Sequence, residues 1–490
     1  MFSLLKKQDK KKEDSKVPLN KDLDTNIQKV KSLFSYGLNQ DFSMREFASN
    51  QRYVLFFYSS IVDAVKIENS IIKPLLFFQH NEDIKSAITI EKVEEIYDFE
   101  ELVESLNSGQ AVLFKEGEQK AYSLNVTDFK HRGIEQPQNE NLVKGPKEAF
   151  TESLGTNLSL IRKRIHDNDL IAETVSVGER SKLNVTIMYI KDLANEDILE
   201  NVKSRIKEIK ADNVRNIEIL EQYIEDRPYS ILPTLLYTER PDRAASFLED
   251  GYVVLLMENS SACLVLPVTF WSFFHTPEDR YLRFLFGNFS RLIRFMAIYI
   301  TLFISALYIA VTNYHSEMVP PDLLLAIAGA RERVPFPVAT EVLIMEFAFE
   351  LIREAGLRIP APLGPTIGIV GALILGQAAV QANIISPIIV IVTALSGLSS
   401  FAIADVSFNY TIRMTRFLFI FAAIFYGLFS LAGCFLLWLM YLISTKSFGV
   451  PYLSPLTPHF QSSNDTIFRK LINKEIWRPG NIKPKDRRKK

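Results

Sequence analysis

Three long stretches in the last two hundred residues contain no Asp, Glu, Lys or Arg: Phe295–Ser316, Ile359–Ala404 and Phe417–Ser444. A helix of roughly 20 apolar residues crosses a hydrocarbon core of about 30 Å, so each run has the length for at least one crossing. Lipid offers no partner to a backbone amide, and a lipid-exposed segment of this kind must be helical. The expectation is a multi-span α-helical membrane domain over residues 291–445.

Phe295–Ser316 reads as the first span, with Tyr299 and Tyr308 inside it and Tyr314 near an interface, where an aromatic ring sits between hydrocarbon and water. Ile359–Ala404 is too long for one ordinary span. It breaks at Asn383–Ser386, because Ser followed by Pro387 is an N-cap and first-turn pair. Thr366–Ala382 and Pro387–Ala404 then form a tight hairpin, crossing or re-entrant. Phe417–Ser444 crosses with tilt. Arg291 and Arg294 precede the first span, and the segment from Lys446 carries eleven Lys and Arg against three acids. Positive flanks stay inside, so both termini are expected in the cytoplasm with an even number of crossings, four in the simplest count. Arg413 and Arg416 then open the last span from outside and snorkel to headgroups; a fifth or sixth crossing through residues 338–355 relieves that strain. Asp405 and Asn409 are expected at an exposed interface.

Charge is concentrated in the first 290 residues, which read as an α/β (α+β) soluble region with two subdomains. Residues 1–30 are a basic tail without the apolar core of a secretory signal. The Lys6–Lys16 cluster is either solvated or in contact with anionic lipid. Residues 31–145 form subdomain 1: a strand at Tyr53–Tyr58, helices at Ile71–Phe78 and Glu91–Leu106, and a hairpin of Ala111–Phe114 with Ala121–Val126. Residues 146–290 form subdomain 2, with helices at Glu148–Ile165, Asn195–Lys207 and Pro241–Leu248. Its strands fall at Leu183–Ile190, Ile231–Tyr237, Gly251–Met257 and Ala262–Thr269. Residues 446–490 are a basic cytoplasmic tail. A net charge of −1 over 490 residues gives no general attraction to nucleic acid.

Catalytic chemistry finds no support. The six histidines, at 80, 131, 166, 275, 315 and 459, have no metal-ligand spacing. Cys263 and Cys434 make no disulfide framework, and neither a phosphate-cradling Gly-rich loop nor a nucleophile elbow is present. No enzyme activity, cofactor or metal is expected. His275, beside Pro277–Asp279, reads as part of a capped turn, and Arg240–Arg243 as a helix start.

Residues 320–358 are the most unusual. Pro335 and Pro337 precede a helix over Val338–Ala355, on which Glu346, Glu350, Arg353 and Glu354 share one side. Such a helix lies in an interface or faces a water-filled cavity. Around a symmetry axis Glu346 and Glu350 would form carboxylate rings that favour cations; the plainer alternative is a Glu350–Arg353 pair on a solvated face. Gly364, Gly368, Ala372 and Gly376 repeat every four residues, a spacing that lets helices pack closely in lipid. Gln377 and Gln381 lie four apart and either bond between helices or line a water path. Pro335, Pro337, Asn383 and Pro387 are candidate hinges, since helix cannot be continuous there.

Several long strings carry a family resemblance: GPKEAFTESLGTNLSLIRKRI (145–165), RPDRAASFLEDGYVVLL (240–256), PVTFWSFFHTPEDRYLRF (267–284), PFPVATEVLIMEFAFELIREAGLRIP (335–360), GPTIGIVGALILGQAAVQANIISP (364–387) and FGVPYLSPLTP (448–458). Over about residues 30–485 the chain resembles the A-subunit family of bacterial spore germinant receptors. This is the GerA family, which also contains the SpoVAF paralogue. The resemblance implies a multi-pass protein of the spore inner membrane that self-associates into a ring and passes cations when a nutrient arrives. It implies a transporter-like B subunit and a lipoprotein C subunit as partners. A non-conducting scaffold, or a SpoVAF-type amplifier of ion release, are the alternatives. The family's charged helix corresponds to Glu341, Glu346, Glu350, Arg353 and Glu354, and its small-residue hairpin to Gly364 through Gln377.

Overall fold

A computed structural model describes residues 17–49, 51–77, 84–129, 137, 140, 142–358, 376–460 and 465–489. The chain forms two units. The first takes the residues up to Pro228, Leu235–Pro267 and the segment from Ile476 onward; the second takes Tyr229–Thr234 and Val268–Glu475.

The first unit holds two five-stranded antiparallel sheets. One is ordered β1–β2–β4–β5–β3, from β1 (Phe42–Ala48), β2 (Arg52–Tyr58), β3 (Val93–Ile96), β4 (Ala111–Lys115) and β5 (Ala121–Leu124). Side chains alternate faces along a strand, and β2 is apolar on both. Val54, Phe56 and Tyr58 join α1 (Leu23–Leu33) and α2 (Phe99–Asn107) in one core. Tyr53 and Leu55 join Ile67, Ile71 and Leu75 in another. Helical cover on both sides of the sheet explains why β2 reads as an unbroken apolar run. The helix expected over Glu91–Leu106 is corrected: Val93–Ile96 is an edge strand paired with β5. The helix starts only where Asp98 caps it by accepting from Glu101 N.

The other sheet is ordered β6–β7–β9–β10–β8, from β6 (Leu170–Val177), β7 (Leu183–Ile190), β8 (Leu236–Thr238), β9 (Val253–Met257) and β10 (Cys263–Leu266). It carries α3 (Leu154–Arg162), α4 (Glu196–Glu208), α5 (Ile217–Ile224) and α6 (Pro241–Glu249). Arg240 and Pro241 are the N-cap and first residue of α6. Helix α3 is shorter than the expected Glu148–Ile165 because Ser153 caps it. The two sheets of this unit are joined through Arg162, which pairs with Asp41, stacks 3.9 Å from the Tyr58 ring centroid and reaches Asn39 Oδ1 at 3.3 Å.

The second unit is helical: α7 (Phe284–Tyr314), α8 (Pro321–Arg331), α9 (Val338–Arg358), α10 (Pro387–Ser400), α11 (Val406–Tyr426) and α12 (Leu428–Ser444). Helix α7 packs against α9, α10, α11 and α12. Among the described residues two helices, α7 and α11, are long and apolar enough to cross a membrane; α10 and α12 are apolar but shorter. Most of the expected span Thr366–Ala382 lies outside the described residues, and Gly364, Gly368 and Ala372 with it.

Two expectations change here. Phe417–Ser444 is not one span. The chain leaves α11 at Gly427, with φ of 61°, and reverses, so that the Phe419 and Trp438 rings meet at 6.2 Å. A Cβ at Gly427 would stand 2.8 Å from that of Tyr314, whose hydroxyl donates to Phe425 O at 3.0 Å. The described residues of 446–489, expected as a tail, are built into the fold. In the second unit Lys446–Ser447 and Val450–Pro451 form a two-stranded ladder. In the first, Ile482 is buried, Asn195 donates to its carbonyl at 3.2 Å, and Lys489 pairs with Asp250 at 2.5 Å.

Candidate functional site

Glutamates four apart on one helix and arginines three apart on another each share a face, and α9 and α11 bring two such faces together. Glu346 and Glu350 project from α9, Arg413 and Arg416 from α11. Arg416 is central: one guanidinium nitrogen lies 2.8 Å from Glu346 and another 2.7 Å from Glu350. It also donates to Ser396 Oγ on α10 at 2.9 Å. Arg413 pairs with Glu350, its Nε at 3.1 Å. Ser305 of α7 donates to Glu346 at 2.5 Å. Glu346 is fully buried and Arg416 is 1% exposed. One turn further along α9, Arg353 donates to Gly397 O at 3.1 Å and Ser400 Oγ at 2.6 Å, and lies 4.2 Å from the Phe401 ring centroid. Helices α7, α9, α10 and α11 thus meet around a network of paired carboxylate and guanidinium side chains. Taking such charges out of water is costly unless each is paired and hydrogen-bonded.

Near the start of α9 the logic repeats with different partners. Glu341 is fully buried. It lies 3.2 Å from Arg331 Nε, and its other oxygen accepts from Ser386 N at 2.8 Å. Ser386 precedes Pro387, the first residue of α10. The carboxylate therefore accepts from the N-cap amide at a helix N-terminus, where negative charge is favoured.

The structure gives Glu341, Glu346 and Glu350 of α9 each an arginine partner, Glu346 and Glu350 together on one side and Glu341 on another. Glu350 pairs with α11, not with Arg353. Gln377, Gln381 and Asn383 are exposed and stand apart from these pairs, and Gly376 is buried beside Val390. Pro335 and Pro337 are exposed in the turn between α8 and α9, and the Pro337 carbonyl accepts from Thr340 and Glu341. Arg413 and Arg416 do not snorkel: they lie inside α11 and point at carboxylates. Asp405 is not exposed but buried as the N-cap of α11, accepting from Phe408 N at 2.9 Å, and Asn409 donates to Ser400 O at 2.9 Å.

A second cluster lies ahead of the uncharged part of α7. Asp279 is fully buried and takes Arg291 at 3.0 Å and Arg294 at 3.1 and 3.2 Å. Arg291 also pairs with Asp465. Burial alone would raise the Asp279 carboxyl; the hydrogen bond from Arg294 and the two guanidinium charges outweigh it and hold it below its ordinary value. His275 bonds Thr466 O at 2.5 Å, and burial pushes its imidazole down to about 4 against the pull of Asp465. Arg291 and Arg294, read from the sequence as positive charges flanking the first span, are paired with Asp279 and Asp465 inside the protein.

Sequence reasoning also missed Tyr229–Thr234, expected as part of a strand over Ile231–Tyr237. These residues pack with the helical unit. Ile231 N donates to the Tyr441 hydroxyl at 3.1 Å, Thr411 donates to Ile231 O at 2.6 Å, and Ser447 donates to Thr234 O at 2.7 Å. Their Tyr-Ser-Ile-Leu-Pro-Thr composition carries no signal for such a role.

An α/β region of two antiparallel sheets followed by an apolar helical bundle with buried ion pairs defines the class. Residues 28–481 match a family model described as Bacillus/Clostridium GerA spore germination protein, and the chain belongs to that family of germinant-receptor A subunits. It is 39% identical to spore germination protein A1 of Bacillus subtilis (strain 168), over 78% of this chain and 80% of that protein. It is 35% identical to spore germination protein KA of the same organism, over 92% and 85%. An uncharacterized membrane protein, YfkQ, also from B. subtilis, is 35% identical over 92% and 89%. The N-terminal domain of the A subunit of the Bacillus megaterium spore germinant receptor GerK3 matches at 25% identity and a TM-score of 0.39, over 52% of this chain and 98% of that one.

Proposed function

We propose that this chain is a multi-pass membrane subunit of a nutrient-responsive germinant receptor, and that several copies form a cation pathway closed by the pairing of Glu350 with Arg413. The buried charge network among α7, α9, α10 and α11 supports this reading. Ionisable groups within membrane helices mark pathways or moving parts far more often than they serve packing. In the form described, every carboxylate of the network is occupied by arginine, which suits a closed state; opening would release Glu350 toward the pathway. Thr411 lies on the same helix as Arg413 and holds the Ile231 carbonyl, so a displacement of Tyr229–Thr234 would act directly on α11. A transporter-like subunit and a lipoprotein subunit are the proposed partners, and both termini are placed in the cytoplasm.

The same pairing favours a second reading, a non-conducting relay in which the network only fixes the helices. Reconstitution into liposomes, alone and with its partners, separates the two by cation flux. Glu350→Gln and Arg413→Gln should each raise nutrient-independent flux several-fold, because either breaks the closing pair. No flux from any assembly containing this chain would favour the relay; flux with unchanged gating in both variants would remove the latch from the mechanism.

A further inference from the structure

The first turns of α7 precede the uncharged run, yet their outward face is already apolar. Leu285, Phe286 and Phe289 are 77%, 66% and 60% exposed, and the stripe continues through Ile293 and Met296 at helical spacing. Arg291 and Arg294 do not interrupt it, because they turn to the other side and are held by Asp279. A helix of 31 residues is about 46 Å long at roughly 1.5 Å per residue. That is close to the roughly 40–45 Å of a bilayer with its headgroup layers. With Phe295–Ser316 in the hydrocarbon, Leu285–Phe289 stand at headgroup depth.

Chain from beyond the last apolar helix is pinned against these turns. The Asn288 side chain accepts from Arg469 N at 2.9 Å and donates to Arg469 O at 3.4 Å; the Arg469 guanidinium donates to Leu282 O at 2.8 Å. Gly287 permits the approach, since a Cβ there would lie 2.5 Å from Asp279 O and 3.1 Å from Arg469 Nε. The pinned segment turns Phe468, Leu471 and Ile472 outward, 56%, 46% and 63% exposed, and Lys470 and Lys474 are exposed beside them. Its nearby acids are engaged, Asp465 with Arg291 and Glu475 with Arg280.

We propose that residues 468–474, together with the first turns of α7, dock on a phospholipid surface. Lys470 and Lys474 meet anionic headgroup phosphates, and Phe468, Leu471 and Ile472 enter the interfacial layer. Apolar side chains interleaved with lysine match that layer in both polarity and charge. The apolar stripe joins it without a break to the part of α7 that meets hydrocarbon. A second copy of the chain in a two-fold contact would instead set these cations against themselves. The proposal rests on the membrane reading of α7, and the test keeps the two apart.

The full chain, carrying Cys263→Ala and Cys434→Ala, is labelled with a fluorophore through Leu471→Cys or, separately, Tyr299→Cys. It is placed in nanodiscs of phosphatidylcholine alone or with phosphatidylglycerol, containing a headgroup or an acyl-chain quencher. The label at 471 should be quenched from the headgroup, at least twofold more with phosphatidylglycerol. Lys470→Gln with Lys474→Gln should abolish that excess, and Lys470→Glu with Lys474→Glu should take quenching below the phosphatidylcholine level. Acyl quenching at 299 with no quenching at 471 overturns the docking face alone; none at either position overturns the membrane reading as well. Quenching at 471 that ignores lipid charge and both lysine variants overturns the headgroup contact. Protection from quencher that follows cross-linking between protomers assigns the face to a second copy.

Discussion

Arg416 touches two carboxylates and a serine hydroxyl at once, so its losses are unequal. Arg416→Leu leaves Glu346 buried without a counter-charge, a situation that costs about 3–5 kcal/mol. Adding Glu346→Leu removes the stranded charge while Arg413 still serves Glu350, and most of the loss should return. Thermal unfolding in detergent measures both; equal loss in the single and double variants would mean the pair is not what holds the helices. His275 belongs to a different regime, outside the uncharged helices, and faces Asp465, Arg291 and Asp279. A free imidazole titrates near ~6.5, whereas this one is held at about 4. Between those values the unfolded chain binds a proton that the folded chain refuses, so stability should fall as pH drops through the window. Asp279, held low against its burial by Arg294 and Arg291, contributes its own loss only below it. His275→Gln should flatten the slope between pH ~6.5 and 4 in the same unfolding measurement while leaving the loss from Asp279 at lower pH in place.

At the scale of elements, a single residue decides how many helices the last apolar run makes. Gly427 adopts φ of 61° and ψ of −133°, a region closed to residues with a Cβ. Gly427→Ala adds that strain and a clash with Tyr314, and should cost more than ~1 kcal/mol, read as faster proteolysis between α11 and α12. Composition could not reveal this break, because Phe417–Ser444 is apolar on both sides of it and Gly433 lies nearby with no such role. The charged pairs were half legible. The i, i+4 spacing of Glu346 and Glu350 announced a face, whereas Arg413 and Arg416 were read as charges reaching for headgroups. That they meet depends on helix packing, which spacing does not encode. Glu341 was found only through a resemblance, and its task of holding the α10 N-terminus needed coordinates to see.

Across the whole molecule, the alternation of apolar strands and amphipathic helices in the first 290 residues was enough to read an α/β region. Tyr53–Tyr58, Leu183–Ile190 and Pro241–Leu248 fall where β2, β7 and α6 are found. Strands β1 and β6 went unseen because Arg45 and Glu46, or Glu173 and Thr174, break the apolar pattern where those strands are partly exposed. The C-terminal segment was misread for a related reason: its lysines suggested a solvated tail, while the few residues that dock it, Gly480–Ile482 and Pro484, look unremarkable. Deleting Ile476–Lys490 should lower the unfolding temperature of the first unit by several degrees, since it uncovers Gly251 and strands Asp250; an unchanged transition would show that the segment merely rests there. Because that unit is assembled from chain on both sides of the apolar helices, its completion is tied to synthesis. At roughly 5–20 residues per second, Ile476 leaves the ribosome on the order of ten to forty seconds after Pro267. Through that interval the first unit waits with Gly251 and Asp250 uncovered, while the apolar helices are being made.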